Sequence, residues 1–314
     1  MVMTSKSKKE QHPGMTLSDA AMKDSSLLKP PDHIQIQTIT GCNASCFFCP
    51  QGKTRRHIPP GRRMDWDLYR SIVNQCLDMG IRRYSIYLMN EPMLDRELPE
   101  RIACISTRIK RPQYTKITSH GGLLTETMAR GLLDSGLDKL KISVLSLNSQ
   151  IYWDLMRLRL DKTLRNIDGF LKLKEQGGYK KPRLEIVMVD SIKTRDEIPE
   201  MRRYWQNRGI KSYIETVENR ADQKSIRDTA IGSSRLQPFS WCRRLMQQAY
   251  VLYDGRMLQC CADWEQQGIM GDLTKERLTD IWYGKRYADY RGRFTEGNVQ
   301  DMICASCRKQ LKKL

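Results

Sequence analysis

The sequence predicts an α/β fold: a partial, TIM-like (β/α)6 barrel followed by a small α+β domain. Two observations carry that expectation. Between His33 and Val217, short strand-like segments alternate six times with segments of helical period. After a polar break the texture changes to a hairpin, a short helix and scattered cysteines. Strand then helix, repeated, requires parallel pairing, because each crossover returns the chain in the same direction. Six units are too few to close an eight-stranded barrel and suit an open one. In such folds function gathers at the C-terminal strand ends.

Residues 1–32 read as a flexible tail with a short helix near Leu17 to Met22. The barrel is expected over 33–218. Its first strand runs from His33 to Ile39. Asp65 then caps a helix whose stripe is Trp66, Tyr69, Ile72, Val73, Cys76 and Leu77, with Cys76 a core thiol. A strand from Arg83 to Leu88 ends in Met89-Asn90-Glu91-Pro92, and a helix follows from Leu98 to Ile109, with Cys104 structural. Tyr114 to Thr118 is a strand ending in Ser119-His120-Gly121-Gly122, and Thr125 to Leu133 a helix. The strand Lys139 to Val144 leads into one long helix, Gln150 to Glu175, closed by Gly177-Gly178. Arg183 to Val189 is a strand, Asp196 to Asn207 a helix, and Lys211 to Val217 the sixth strand.

Residues 219–238 read as a linker, and 239–314 as the appended domain. There, Gln248 to Tyr253 and Arg256 to Ala262 flank Asp254-Gly255, a hairpin signal in which both turn positions take positive φ. A helix follows from Leu278 to Gly284.

Ten cysteines are present. Cys42, Cys46 and Cys49 form a C-x3-C-x2-C loop after the first strand. Three soft ligands on one loop would leave one iron of a four-iron cluster open. Zinc is a rival, although structural zinc usually joins two C-x2-C knuckles. A disulfide framework belongs to short secreted chains. In the last third, Cys242, Cys260 and the pair Cys304 and Cys307 come from three segments of a region too small for a deep core. A metal, zinc or a second cluster, is the natural tie. Four thiolates would saturate a cluster, leaving it to carry electrons or support structure. Cys261 is expected on the opposite face of the strand from Cys260, as packing or as a reactive thiol.

The formal net charge of +18 raises nucleic-acid binding, but the cations are scattered and form no basic block. The reading is a solvated basic surface suited to an anionic substrate. The polar N-terminus has no apolar h-region and no apolar run has membrane-spanning length, so the expected setting is reducing and cytoplasmic.

These residues resemble the radical S-adenosylmethionine (radical SAM) superfamily. The Cys42, Cys46, Cys49 loop, with Phe48 before the third cysteine, is similar to its signature. Met89-Asn90-Glu91-Pro92 stands where the family usually has Gly-Gly-Glu-Pro, so Glu91 and Pro92 match and both glycines are replaced. Ser119 and His120 stand near the family's Thr-Asn-Gly turn, and Ser143 resembles the serine that meets the ribose or carboxylate. Arg157 resembles the arginine that pairs with the methionine carboxylate, with Leu158 in place of the usual glycine. The C-terminal segment is similar to the twitch variant of the SPASM domain, with Cys242, Cys260, Cys304 and Cys307 as its ligands.

The resemblance implies two 4Fe-4S clusters, S-adenosylmethionine held near Phe48, Asn90, Glu91, Ser119, Ser143 and Arg157, and an external electron donor such as flavodoxin or ferredoxin. It implies reductive cleavage to a 5′-deoxyadenosyl radical that abstracts hydrogen from a small-molecule substrate, anionic or a sugar. The aminocyclitol dehydrogenases of the family imply two-electron oxidation of a carbinol, with a base among Glu215, Glu218, Arg220, Asp263 and Glu265. The epimerases imply Cys261 as a hydrogen donor, since a ligand cysteine has already lost its proton. A peptide-modifying maturase fits less well, because the tail is short and the thiols suffice for one auxiliary cluster. A zinc-stapled nucleic-acid-binding module would leave the strand–helix units unexplained.

Overall fold

Six parallel strands carry the barrel: β1 (His33–Ile36), β2 (Arg83–Ser85), β3 (Tyr114–Ser119), β4 (Lys139–Ser143), β5 (Arg183–Asp190) and β6 (Lys211–Thr216). The structure, a computed structural model, describes residues 29–51, 53–54, 58–216 and 241–309. The expected leader helix, the linker, Glu218 and Arg220 lie outside those residues. Crossovers are made by α1 (Trp66–Asp78), α2 (Leu98–Ser106), α3 (Glu126–Asp134), the pair α4 (Ser149–Met156) and α5 (Leu160–Gln176), and α6 (Ile198–Asn207).

The strands are two-sided. Ile34, Ile36, Ile117, Leu140, Ile142 and Ile186 are fully buried under the helices, each worth about 1.5–3 kcal/mol of transfer free energy. The alternate positions of β3 and β4 are Lys116, Thr118, Lys141 and Ser143, and these face the lumen. The helix stripes complete the core. Asp65 caps α1 by accepting from Asp67 N and Leu68 N, and Cys76 is fully buried, as its place on the stripe implies.

The C-terminal segment does not stand apart. Its elements are α7 (Arg243–Gln247), β7 (Gln248–Val251), β8 (Arg256–Leu258), β9 (Ile269–Asp272), α8 (Leu278–Tyr283), α9 (Lys285–Glu296) and α10 (Cys304–Lys309). β7 pairs in parallel with β1, and the single sheet runs β6-β5-β4-β3-β2-β1-β7-β8-β9. An open barrel leaves the edge of β1 unpaired, and β7 covers it.

Several expectations are corrected. The single helix from Gln150 to Glu175 is two, broken at Arg157, whose φ is 55°. The carbonyls of Leu155 and Met156, which would accept from the next turn, are taken by Phe47 N at 2.8 Å and Ser45 N at 3.1 Å. The cysteine loop thus ends the helix. In the hairpin only Gly255 has positive φ, at 87°, with Gly255 N donating to Leu252 O and Leu252 N to Arg256 O. This is a three-residue turn ending in a left-handed glycine rather than a two-residue one. β8 stops at Leu258, so Cys260 and Cys261 lie in the following loop, and their thiols hydrogen-bond each other rather than facing opposite ways. Cys304 and Cys307 lie on a helix, one turn apart.

Beneath the rim, Arg101 and Asp95 form a buried ion pair at 3.0 Å. The guanidinium also donates to Met64 O at 2.7 Å and stacks on Trp66 at 4.4 Å. Arg101→Met leaves the Asp95 carboxylate buried without its cation, which costs about 3–5 kcal/mol. Chemical denaturation of the variant should show that loss, and a loss below about 1 kcal/mol would contradict it.

Candidate active site

The site is built at the C-terminal strand ends. Gly41, with φ 97°, opens the cysteine loop; a Cβ there would stand 2.7 Å from the Pro60 Cβ, so glycine is required. Its backbone bridges to Asn90, and Glu91 N donates to Gly41 O at 2.9 Å. The Met89–Pro92 segment is thereby fixed beside Cys42. Within the loop, Cys49 N donates to Cys46 O, and the Lys53 ammonium donates to the carbonyls of Cys46 (2.9 Å) and Phe47 (3.1 Å).

Burial pushes the Cys42 thiol up to about 12, with Glu91 and Cys49 adding to it, and burial with Cys49 and Cys42 pushes Cys46 up further. Two thiols held neutral in this way suit a strongly cationic group beside them. Among the described residues no three His, Cys, Asp or Glu side chains converge as around a single ion. The C-x3-C-x2-C loop offers three thiolates that would hold three irons of a four-iron cluster.

Glu91 is 3% exposed and every lone-pair direction is used. Its Oε1 accepts from Ser119 Oγ (2.7 Å) and Met93 N (3.1 Å), and its Oε2 from His120 N (3.1 Å). Gly122 N donates to His120 Nδ1, so the ring proton is on Nε2. That proton is shared by Asn43 Oδ1 at 2.9 Å and Glu91 Oε2 at 3.3 Å. Glu91 and Ser119 therefore hold the strand ends and the cysteine loop together instead of lining the cavity.

The cavity itself measures about 460 Å³. Cys42, Phe48, Cys49, Asn90, Ser143, Glu215 and Cys261 all border it, a convergence of distant sequence positions. Asn90 Oδ1 accepts from Leu88 N, while its Nδ2 is buried in the cavity wall without a partner among the described residues, a donor that fits a bound cofactor. Trp264 Nε1 is likewise buried and unpartnered where this cavity meets a neighbouring one of about 330 Å³. Arg157 is outside: its side chain is 52% exposed and pairs with Asp154 at 3.6 Å.

Of the proposed bases, Asp263 is buried and accepts from Gly268 N (2.8 Å) and Gln267 N (3.1 Å), and Glu265 does not border the cavity. Glu215 does. Near the second thiol set, Tyr290 hydrogen-bonds Cys304 and also faces Cys260, bringing two separate segments together. Arg244, two residues beyond Cys242, faces Cys260 too. Asn43, Tyr87, Lys116, Lys141 and Trp264 were not singled out from the sequence. The lysines had a signal: in Tyr-Thr-Lys-Ile-Thr-Ser and Lys-Leu-Lys-Ile-Ser the two-residue period puts lysine on one face.

A partial barrel with a three-thiol loop at its strand ends defines a protein built around an iron–sulfur cluster. The chain belongs to the radical SAM superfamily, whose family model matches residues 36–204. An iron-sulfur cluster-binding domain, SPASM, matches residues 242–308. It is thus a radical SAM enzyme, using S-adenosylmethionine, a 4Fe-4S cluster and an auxiliary cluster.

The chain is 35% identical to a probable GTP 3′,8-cyclase of Methanococcus maripaludis over 113 residues, an alignment that spans 35% of each chain. It is 20% identical to the S-adenosyl-L-methionine-dependent 2-deoxy-scyllo-inosamine dehydrogenase of Niallia circulans over 87% of this chain and 91% of the relative. In fold it resembles BtrN in complex with AdoMet and 2-DOIA (TM-score 0.58, 18% identity, 88% and 92% of the chains). It also resembles Streptococcus suis SuiB bound to a precursor peptide (TM-score 0.67, 17% identity, 93% and 74%). No helix among the described residues is long and apolar enough to cross a membrane.

Two outcomes follow from this geometry. Glu91→Ala strands the Ser119, Met93 and His120 donors, at about 1–3 kcal/mol each, and should lower the iron retained after reconstitution several-fold. Unchanged iron content would refute its holding role. His33, hydrogen-bonded to Ser85 at 2.7 Å, is held down to about 3 by burial and by the charges of Lys116 and Arg83. The unfolded imidazole takes its proton below about 6.5 and the folded one only near 3, so stability falls as pH drops through that window. His33→Gln should flatten this part of the pH–stability curve.

Proposed function

We propose that this enzyme oxidises a carbinol of a small molecule, such as a sugar or aminocyclitol, by two electrons within the barrel lumen. The observation that supports it is one cavity bordered by Cys42 and Cys49 on one side and by Cys261, next to Cys260, on another. A substrate there would lie between the two thiol sets. Cys42, Cys46 and Cys49 are assigned to the first cluster, and Cys242, Cys260, Cys304 and Cys307 to the second. When bound, S-adenosylmethionine and the clusters supply the hydrogen-abstracting radical and the acceptor for the second electron, after a first electron from an external donor such as flavodoxin or ferredoxin.

The chain's own groups do the rest. Asn90 Nδ2, Ser143 and Phe48 line the cavity and would hold the cofactor, the first two through its polar groups. Glu215, the carboxylate on the cavity wall among the described residues, takes the hydroxyl proton. The carbon loses a hydrogen atom, the oxygen a proton, and one further electron leaves, giving a ketone. The similarity to the 2-deoxy-scyllo-inosamine dehydrogenase supports this reading.

A second reading, epimerisation, is favoured by one fact: the Cys261 thiol borders the cavity and could return a hydrogen atom to the opposite face. The two readings part on a variant. Anaerobically reconstituted protein should hold about eight irons per chain. With carbinol-deuterated aminocyclitols and sugars, deuterium should enter 5′-deoxyadenosine and a ketone should form. Cys261→Ala should keep ketone formation, and Glu215→Gln should lower it about 10²–10⁴-fold. A stereoinverted product that Cys261→Ala abolishes, with iron retained, would overturn the dehydrogenase.

A further inference from the structure

Complete (β/α) barrels fill their interior with branched aliphatic side chains. This lumen is lined differently. Register places Thr118 directly beside Lys141 across β3 and β4, with Lys116 one lumen-facing position earlier on β3. Both lysines border the cavity around the Tyr87 ring. The Lys116 ammonium lies 6.0 Å from the centroid of that ring, and the Lys141 charge also acts on Tyr87, whose hydroxyl bonds Thr118. Lys141 also stands 4.8 Å from the Tyr213 ring.

The wall has little to neutralise them. Arg83 and Arg244 border the same cavity, and Glu215 is its carboxylate among the described residues. Arg83 is held by Asp32 at 2.5 Å at the far end of the barrel. Burial presses the Lys116 ammonium towards its neutral form; the charges of Arg83 and Lys139 add to this, while Tyr114 and the Glu215 carboxylate offset it only in part. An anion between the two lysines would relieve that pressure, whereas a cationic or neutral guest would leave it in place.

The geometry points to a phosphate-binding subsite in the lumen, in which Lys116 and Lys141 hold the phosphate of a phosphorylated small-molecule substrate. The inference rests on the radical reading above and names its substrate class. Two point charges with the Thr118 and Tyr87 hydroxyls suit a compact, doubly charged tetrahedral oxyanion. Val187 and Val189 leave an apolar arc of wall for the unreactive carbon skeleton.

Calorimetric titration of the reconstituted enzyme, loaded with S-adenosylmethionine, tests this with glycerol 3-phosphate and inorganic phosphate as probes. Glycerol and citrate serve as controls. Saturable binding of both phosphates is expected, weakening with added salt. Lys116→Gln and Lys141→Gln should each weaken it about tenfold or more. Lys141→Arg, which keeps the charge, should retain most of it, and Lys172→Gln, on the exposed face of α5, should leave it unchanged. Iron content and thermal midpoint identify any variant that fails to fold, and for such a variant the salt dependence of the wild type decides. Salt-independent binding, equal binding in the lysine-to-glutamine variants, or citrate binding as tight as phosphate would overturn the subsite. Deoxyadenosine formation by the wild type with dithionite and no phosphate tests the radical reading alone. Its absence, with lysine-dependent phosphate binding intact, would remove that reading and leave the subsite standing.

Discussion

The buried carboxylate of Glu91 is the joint on which the strand ends depend. It accepts from Met93 N just after it and from Ser119 and His120 at the end of β3, and the His120 Nε2 proton it shares with Asn43 Oδ1 ties in the cysteine loop. A carboxylate removed from water must have its acceptor positions filled, and here its partners come from its own segment and from the end of β3. The positions of Cys42 and of the Asn90 amide are therefore set by the same group. Replacing the usual two glycines with Met89 and Asn90 adds side chains to this segment. One of them, Asn90, supplies a donor that no other described residue uses.

The second constraint is the edge of β1. Parallel pairing with β7 joins the C-terminal segment to the sheet of the barrel. Gln37 spans the junction, with its amide directed to Met89 O and its carbonyl accepting from Tyr253 N, both at 3.4 Å. The loop bearing Cys260 and Cys261 is thus placed against the rim by backbone geometry. Its separation from the cysteine loop is a property of the sheet.

The alternation of strands and helices was legible because helix-facing positions are relentlessly apolar; Ile117, Leu140, Ile142 and Ile186 leave no other reading. The two groups of thiols stand out by their spacing, while their assignment to clusters comes from the family resemblance. What escaped the sequence depended on contacts between remote segments. The break at Arg157 arises because Ser45 and Phe47, more than a hundred residues earlier, take the carbonyls that would have continued the helix. Local periodicity carries no trace of that competition. Glu91 was legible as important, but its holding role depends on Ser119 and His120 folding back onto it. The turn at Gly255 needed its hydrogen-bond pattern, since Asp-Gly suits more than one loop length.

The pairing of β1 with β7 also bears on how the chain reaches this state. Gln37 and Tyr253 are 216 residues apart, so the strand that leads into the cysteine loop keeps a bare edge until more than two hundred further residues have been made. A contact of such long range closes late, because the entropy of the intervening chain is lost before the contact returns anything. The nascent barrel therefore passes through a stage with an unpaired strand beside three free thiols, open to mispairing and to oxidation. Iron insertion into the first loop before β7 docks would cover those thiols during that interval. The edge of β1 is thus completed by one four-residue strand that follows it by more than two hundred residues.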